Sequence, residues 1–387
     1  MGFWIGRGRK ARRAYGLDEI ALAPGSLTVD PEDTDTSWEI GGHKFSIPVI
    51  AAAMDGVVDV PFAIKMGQLG GFAILNLEGV QTRYEDPAAV LEEIAKSDPT
   101  TSTSVLQKVY QAPIREELIS RRIEEIKAAG VKAVVSSIPQ RAQRFGAIAQ
   151  EAGVDIFVVQ STVTTVQYKS SKHSTLDFKK FITQEMRVPV IVGNTVTSEP
   201  CLELMECEPA GVLVGVGPGE ACTTRGVLGL GVPQVTATAD CAWARDYYYK
   251  KTGRFIPIIT DGGMSKGGDI CKAFACGADA VVVGSAFAKS TEAPGRGYHW
   301  GMATPHHNLP RGTRVHVGTT GSLEEILYGP ARLDDGSQNI VGAIKTCMGS
   351  IGALTIKEFQ EADIIIAPSI KQEGKLYQRT QHIGMNR

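Results

Sequence analysis

No apolar stretch of this 387-residue chain approaches the ~20 residues of a membrane-spanning helix, so no transmembrane helix is expected. The first thirteen residues carry basic side chains but lack the apolar core of a secretory leader; a solvated basic arm is expected there. Charge of one sign is also missing. Forty basic against 42 acidic residues leave a net charge of -2, which argues against a broad polybasic face for nucleic acid. The seven cysteines (201, 207, 222, 241, 271, 276 and 347) are odd in number and include no CxxC pair. A disulfide framework or structural zinc site is therefore not expected, and a reducing cytoplasm fits. The pair His306-His307 has no HExxH-like spacing and reads as polar loop without a metal role.

What is present is regular. Eight short apolar runs, 47–54, 71–76, 133–138, 155–160, 188–193, 211–216, 256–261 and 280–285, read as strands. Most are continuously hydrophobic, as strands covered on both faces are. Helical patterns separate them, among them 141–152, 198–206 and 266–276. The 43 glycines fall mainly after the apolar runs, which suggests many tight loops at one end of the structure. Strand, loop and helix repeated about eight times predict a (β/α)8 TIM barrel forming one catalytic domain over residues 1–387. A doubly wound open sheet is the competitor, but no GxGxxG fingerprint follows the first run. Residues 77–132 form an elaboration between the second and third strands, with helical patterns at 87–96 and 114–129 flanking 100–106. Residues 291–321 are too long for a simple connection and suit an active-site flap.

The most informative residue is Cys222, in Gly215-Val-Gly-Pro-Gly-Glu-Ala-Cys-Thr-Thr-Arg225, directly after the sixth run. An arbitrary free cysteine is usually a buried apolar filler. Here its neighbours are polar, and Arg225 is expected to favour the thiolate by its charge. Asp261-Gly262-Gly263 closes the seventh run and Gly284-Ser285 the eighth. In a barrel these three strand ends meet at the C-terminal face. Glycine N–H groups and a serine hydroxyl can hold a phosphate. Asp261 can accept both hydroxyls of a ribose, and a nearby thiolate can attack an electrophilic carbon of the attached base. The implied ligand is a nucleoside monophosphate. Alone, Asp261 before Gly-Gly could simply form an Asx-type turn.

These residues resemble the IMP dehydrogenase/GMP reductase family. The resemblance covers most of the chain: Tyr15-Gly-Leu-Asp-Glu-Ile-Ala-Leu-Ala-Pro-Gly25, Ala51-Ala-Ala-Met-Asp55, Val192-Gly-Asn-Thr-Val-Thr197, the cysteine loop and Gly231-Val-Pro-Gln234. It continues through Thr260-Asp-Gly-Gly263, Val283-Gly-Ser-Ala-Phe-Ala288, Ser290-Thr-Glu-Ala-Pro-Gly295 and Gly301-Met302. Many members carry a regulatory module of paired CBS domains after the second strand. This chain has only its short elaboration there, so it is similar to the bacterial IMP dehydrogenase-related group that lacks the module.

The resemblance implies an NAD-dependent oxidation of IMP to XMP through a covalent thioimidate on Cys222, supported by Thr224. Asp261 would hold the ribose, and Gly262, Gly263, Gly284 and Ser285 the phosphate. Gly301, Met302 and Ala303 would meet the base, and Asn194 would support the cysteine loop. Gln160, Ser161, Gly215, Val216 and Gly217 would face NAD. Gly217, Gly219 and Cys222 would offer carbonyls to potassium, completed by Glu373 and Gly374 of a neighbouring subunit in a homotetramer. The flap holds Arg311 and Arg314 and no carboxylate over 306–316. That pattern resembles the dehydrogenases, which use an arginine on the hydrolytic water, rather than the NADPH-dependent reductases, which use a glutamate with the threonine matched by Thr224. A noncatalytic nucleotide-binding protein on the same scaffold is the alternative from another class. The chain departs from the family pattern at Glu220, where a phosphate-contact serine is usual. It departs again at His299-Trp300, where a tyrosine precedes Gly-Met, and at Gln160-Ser161-Thr162 and Val317.

Overall fold

The computed structural model describes residues 2–171, 175–302, 313–370 and 372–384. Eight parallel strands close into a barrel. They are β1 (Val49–Ala51), β2 (Phe72–Asn76), β3 (Val134–Ser137), β4 (Ile156–Gln160), β5 (Val190–Thr195), β6 (Gly211–Val214), β7 (Ile258–Asp261) and β8 (Ala280–Val283). Closure is made by β8 on β1, with Val281 opposite Val49 and Val283 opposite Ala51. All eight lie within the runs expected from sequence, apart from the end of β5. The open-sheet alternative is excluded.

Successive strand residues point to opposite faces. Ile50, Ile74, Val158, Ile191, Leu213 and Ile259 fill the barrel, whereas Val49, Leu75, Val159, Val192, Val214 and Ile258 face the helices. Two apolar environments explain why the strand sequences do not alternate. The amino-terminal end is plugged by the hairpin Trp38–Ile40/His43–Phe45, whose Phe45 ring lies 4.7 Å from that of Phe72. The other end is left for loops.

The helices Ser198–Glu206, Ala142–Glu151 and Gly267–Ala275 match expectation closely. The helix Gln234–Thr252, nineteen residues long, has no counterpart in the sequence expectations. It buries Ala, Thr, Cys, Arg and Tyr side chains rather than a stripe of large aliphatics, which hides its period. The elaboration contributes the helices Pro87–Lys96, Ser102–Val109 and Glu116–Ala128. Glu116–Ala128 belongs to the barrel's outer layer; the other two build a small apolar cluster of their own. The expected basic arm is an exposed hairpin, Phe3–Gly6 on Arg9–Ala11. Among the described residues no helix is long and apolar enough to cross a membrane.

Candidate active site

The strand ends surround a cavity of about 1010 Å³ at the C-terminal mouth of the barrel. That is at the upper end of the ~300–1,000 Å³ common for small-molecule sites, and leaves room for two ligands side by side. The residues expected to meet nucleotide, base and NAD line this one space: Asn194, Gly215–Gly217, Gly219, Glu220, Cys222, Thr224, Asp261–Gly263, Gly284, Ser285, Gly301 and Met302, with Gln160 and Ser161 at one side. Ala303 and Arg311, like His306-His307, lie outside the described residues.

All seven cysteines are free, and five are buried. Burial pushes the Cys207 thiol up to about 11 and the Cys276 thiol up to about 12, which keeps both protonated and inert. Cys222 differs, being only half-buried and open to the cavity. Its N–H donates to Gly219 O at 3.0 Å, closing a turn, and its Sγ lies 3.2 Å from Thr224 Oγ1. Thr224 is buried, so this contact fixes the direction of the thiol.

The expectation that Arg225 serves the thiolate meets a different arrangement. Its Nε donates to Val216 O at 3.3 Å and a terminal nitrogen to Val232 O at 2.9 Å. The side chain threads between Gly217 and Gly231, where added Cβ atoms would approach it to 2.7 Å. Arg225 is thus a clamp across the cysteine loop. Burial lowers its pKa, with the nearby Cys222 charge acting in the opposite sense.

Asp261, at the end of β7, accepts from Asn194 Nδ2 at 2.8 Å. Asn194, expected to support the cysteine loop, thus also orients the Asp261 carboxylate. β5 is irregular between Gly193 and Thr195, and Thr164 N–H binds Asn194 O at 2.9 Å. Gly262 and Gly263 follow with φ of +81° and +80° and pack against Pro218. The Asp-Gly-Gly turn therefore needs its glycines whether or not a ligand is bound.

Burial pushes the Asp261 carboxyl up from 3.8 to about 6, while the Asn194 hydrogen bond pulls it back down. An acid whose folded pKa is raised holds its proton longer in the native state. Stability therefore falls as pH rises from about 4 to 6, and the cost is fully present above 6. Allowing for the openness of the cavity, that cost is on the order of 2 kcal/mol. Asp261→Asn is expected to raise the thermal midpoint at pH 8, with the advantage shrinking toward pH 5. The same substitution should weaken binding of ribose-bearing ligands, and wild-type affinity should fall below pH 6. Thermal melts and calorimetric titrations across this range check both; an equal gain at pH 5 and pH 8 would contradict the assignment.

His299 stood out in the sequence only as a departure from the family pattern, with no role assigned to it. It is 1% exposed, and among the described residues neither ring nitrogen has a hydrogen-bond partner. Its Nε2 lies 3.8 Å from Glu220 Oε2, an ion-pair separation rather than a hydrogen bond. The Glu220 carboxyl is held below the usual range first by His299, against the opposing effect of burial, with Ser285 and Lys289 adding to the lowering. The carboxylate thus points toward Ser285, where phosphate is expected. Gln234 was quoted only as part of a motif. It donates to Val214 O at 2.7 Å and ties β6 to β7, a role only the packing reveals.

Arg314 departs from expectation. It does not line the cavity; its guanidinium donates to Ile94 O, Ala95 O, and Ser97 Oγ and O at 2.6–3.0 Å. These carbonyls end a helix, where a cation is favoured, so the guanidinium is committed to the elaboration rather than to a water. Glu373 and Gly374, expected to serve a neighbouring subunit, sit in the exposed segment after the strand Ile364–Ile366.

A parallel (β/α)8 barrel with a half-buried thiol on the loop after β6 and a half-buried carboxylate at the end of β7, both lining one cavity, belongs to the barrels whose site lies at the C-terminal mouth. A family profile described as "IMP dehydrogenase / GMP reductase domain" matches residues 14–375. The chain belongs to that family, a family of oxidoreductases. It is 39% identical over 371 residues to an "uncharacterized oxidoreductase" of Mycolicibacterium smegmatis, covering 94% of this chain and 99% of the relative. It is 29% identical over 386 residues to the inosine-5'-monophosphate dehydrogenase of Cryptosporidium parvum, covering 88% and 89%. The crystal structure of an IMP dehydrogenase/GMP reductase-like protein from Corynebacterium glutamicum superposes with a TM-score of 0.89 at 34% identity, covering 94% of this chain and 97% of that one.

Proposed function

We propose that this chain oxidises IMP to XMP with NAD+, using Cys222 as nucleophile. The observation that carries the reading is the placement of Cys222 Sγ, 3.2 Å from the Thr224 hydroxyl, on the same cavity as the Asn194–Asp261 pair. Asp261 would accept the ribose hydroxyls. The loop glycines 262, 263 and 284 with Ser285 would receive the phosphate. These contacts set the purine so that C2 meets Sγ.

Attack of the thiolate at C2 forms a C–S bond, and the C2 hydrogen departs with its electron pair. The nicotinamide ring supplies the acceptor for that hydride. Thr224 holds Sγ in line while the thioimidate persists. Water then adds at C2, the C–S bond breaks, and the thiolate and XMP are released with a proton. Gln160, Ser161 and Gly215–Gly217 line the same cavity as the thiol and would take the nicotinamide there. Carbonyls of Gly217, Gly219 and Cys222 on one tight loop are hard oxygen donors that suit potassium, although Gly219 O already accepts from Cys222 N–H. A second subunit carrying Glu373 and Gly374 would complete that site.

The absence of a carboxylate in the 306–316 sequence favours oxidation over the reductase reading. With Arg314 committed to helix carbonyls, Arg311 is the arginine left for the water. The test is absorbance at the NADH band with IMP, NAD+ and potassium, with XMP identified chromatographically. NADH and XMP are expected in equal amounts. NADPH consumption with GMP in place of that reaction would favour the reductase, and nucleotide binding without turnover would favour a binder.

A further inference from the structure

The two extra helices of the elaboration have no task in closing the barrel, yet they meet both chain segments that flank residues 303–312. On the leading side, Trp300 is fully buried among Val80, Leu91, Ile94, Leu106 and Val109, the apolar cluster of these helices. Its indole Nε1 donates to Tyr110 Oη at 2.8 Å. The single Tyr110 proton goes to Asp55 Oδ2 at 2.5 Å, a carboxylate that also accepts from Val80 N–H at 2.8 Å. Met302 Sδ lies 3.4 Å from the same hydroxyl, and Met302 lines the cavity. One phenol thus links the loop after β1, the indole before Gly301 and the sulfur beside the site.

On the returning side, Arg314 caps the end of the helix Pro87–Lys96 and lies 4.4 Å over the Tyr298 ring. Tyr298 pairs with His316 and His299 with Val315 in a short antiparallel ladder that joins the two segments. Two anchors on one pair of helices, plus a ladder between the segments, join both sides into one connected unit.

We propose that the helices Pro87–Lys96 and Ser102–Val109 clamp both segments, with Tyr110 and Arg314 as positioning residues that hold Gly301 and Met302 against the nucleotide cavity. Only the turnover readout below rests on the reading of the site as an IMP dehydrogenase.

The test is hydrogen exchange on the full-length protein, comparing wild type with Tyr110→Phe and Arg314→Lys. Tyr110→Phe keeps the ring in the cluster and removes the hydroxyl. Arg314→Lys keeps the charge and loses the planar fork. In each variant, amides of both 298–302 and 315–318 are expected to exchange at least about 10-fold faster, with the barrel strands unchanged. Acceleration confined to the mutated side, or no acceleration, would overturn the proposal. A second readout separates positioning from general damage. With IMP as substrate, KM should rise about 10-fold while kcat falls less than about threefold. A loss in kcat alone would count against a clamp. If the wild-type protein does not turn over IMP, the proposed function fails while the exchange experiment still decides the clamp.

Discussion

Replacement of Cys222 by alanine is expected to abolish NADH formation, by at least ~10⁴-fold, while leaving IMP affinity within about threefold of wild type. The separation follows from where the groups sit. In the proposed site Asp261, held by Asn194, and the glycine turns after β7 and β8 would carry the binding contacts, and none of these would depend on the thiol. Among the described residues the side chain hydrogen-bonds only to Thr224. Because Cys222 is half-buried and its loop is closed by its own N–H on Gly219 O and by the Arg225 clamp, removing Sγ should leave the loop's path intact. Turnover by absorbance and affinity by calorimetry measure the two effects. Mass spectrometry of quenched wild-type enzyme should find a nucleotide adduct on Cys222 alone. Turnover within 100-fold of wild type in the alanine variant would rule out covalent catalysis by this residue.

The second large effect concerns Glu220. Its carboxylate is ionised throughout the neutral range and faces His299 and Ser285 at the end of the cavity assigned to phosphate. Two like charges about 4 Å apart at an effective dielectric of 20 repel by ~4 kcal/mol, an upper limit for a group that is half exposed. A relief of about 1.4–2.7 kcal/mol corresponds to 10- to 100-fold in affinity. Glu220→Ser is expected to tighten IMP binding by that factor and to leave inosine, which lacks the phosphate, unchanged within about twofold. Raising salt should strengthen wild-type IMP binding relative to the variant, because screening weakens repulsion. Titrations of both ligands into both proteins at low and physiological salt check this. Weaker IMP binding in Glu220→Ser would mean that Glu220 serves to orient His299 toward the ligand, and the repulsion argument would fail.

Cys222 and Glu220 are both conspicuous in the sequence, but for different physical reasons. Cys222 stood out because its surroundings in sequence are its surroundings in space: a strand end, a glycine loop and polar neighbours. Glu220 was visible as a departure, but whether it turned inward depended on His299, 79 positions away in the chain.

The same difference runs through the rest of the molecule. The sequence by itself determined the eight strands, the turns after them and the gathering of Cys222, Asp261 and Ser285 at one end of a barrel. Those follow from short-range rules, continuous apolar runs between two layers and glycines where the backbone turns tightly. Only the tertiary structure decided that Arg314 caps a distant helix, that Asn194 serves Asp261, that Gln234 ties β6 to β7, and that Tyr110 joins the elaboration to Trp300. Each is a buried or half-buried polar group satisfied by a partner far along the chain. Hydrogen-bonding capacity is written in the residue, whereas the partner is set by which surfaces the packing of apolar clusters brings together.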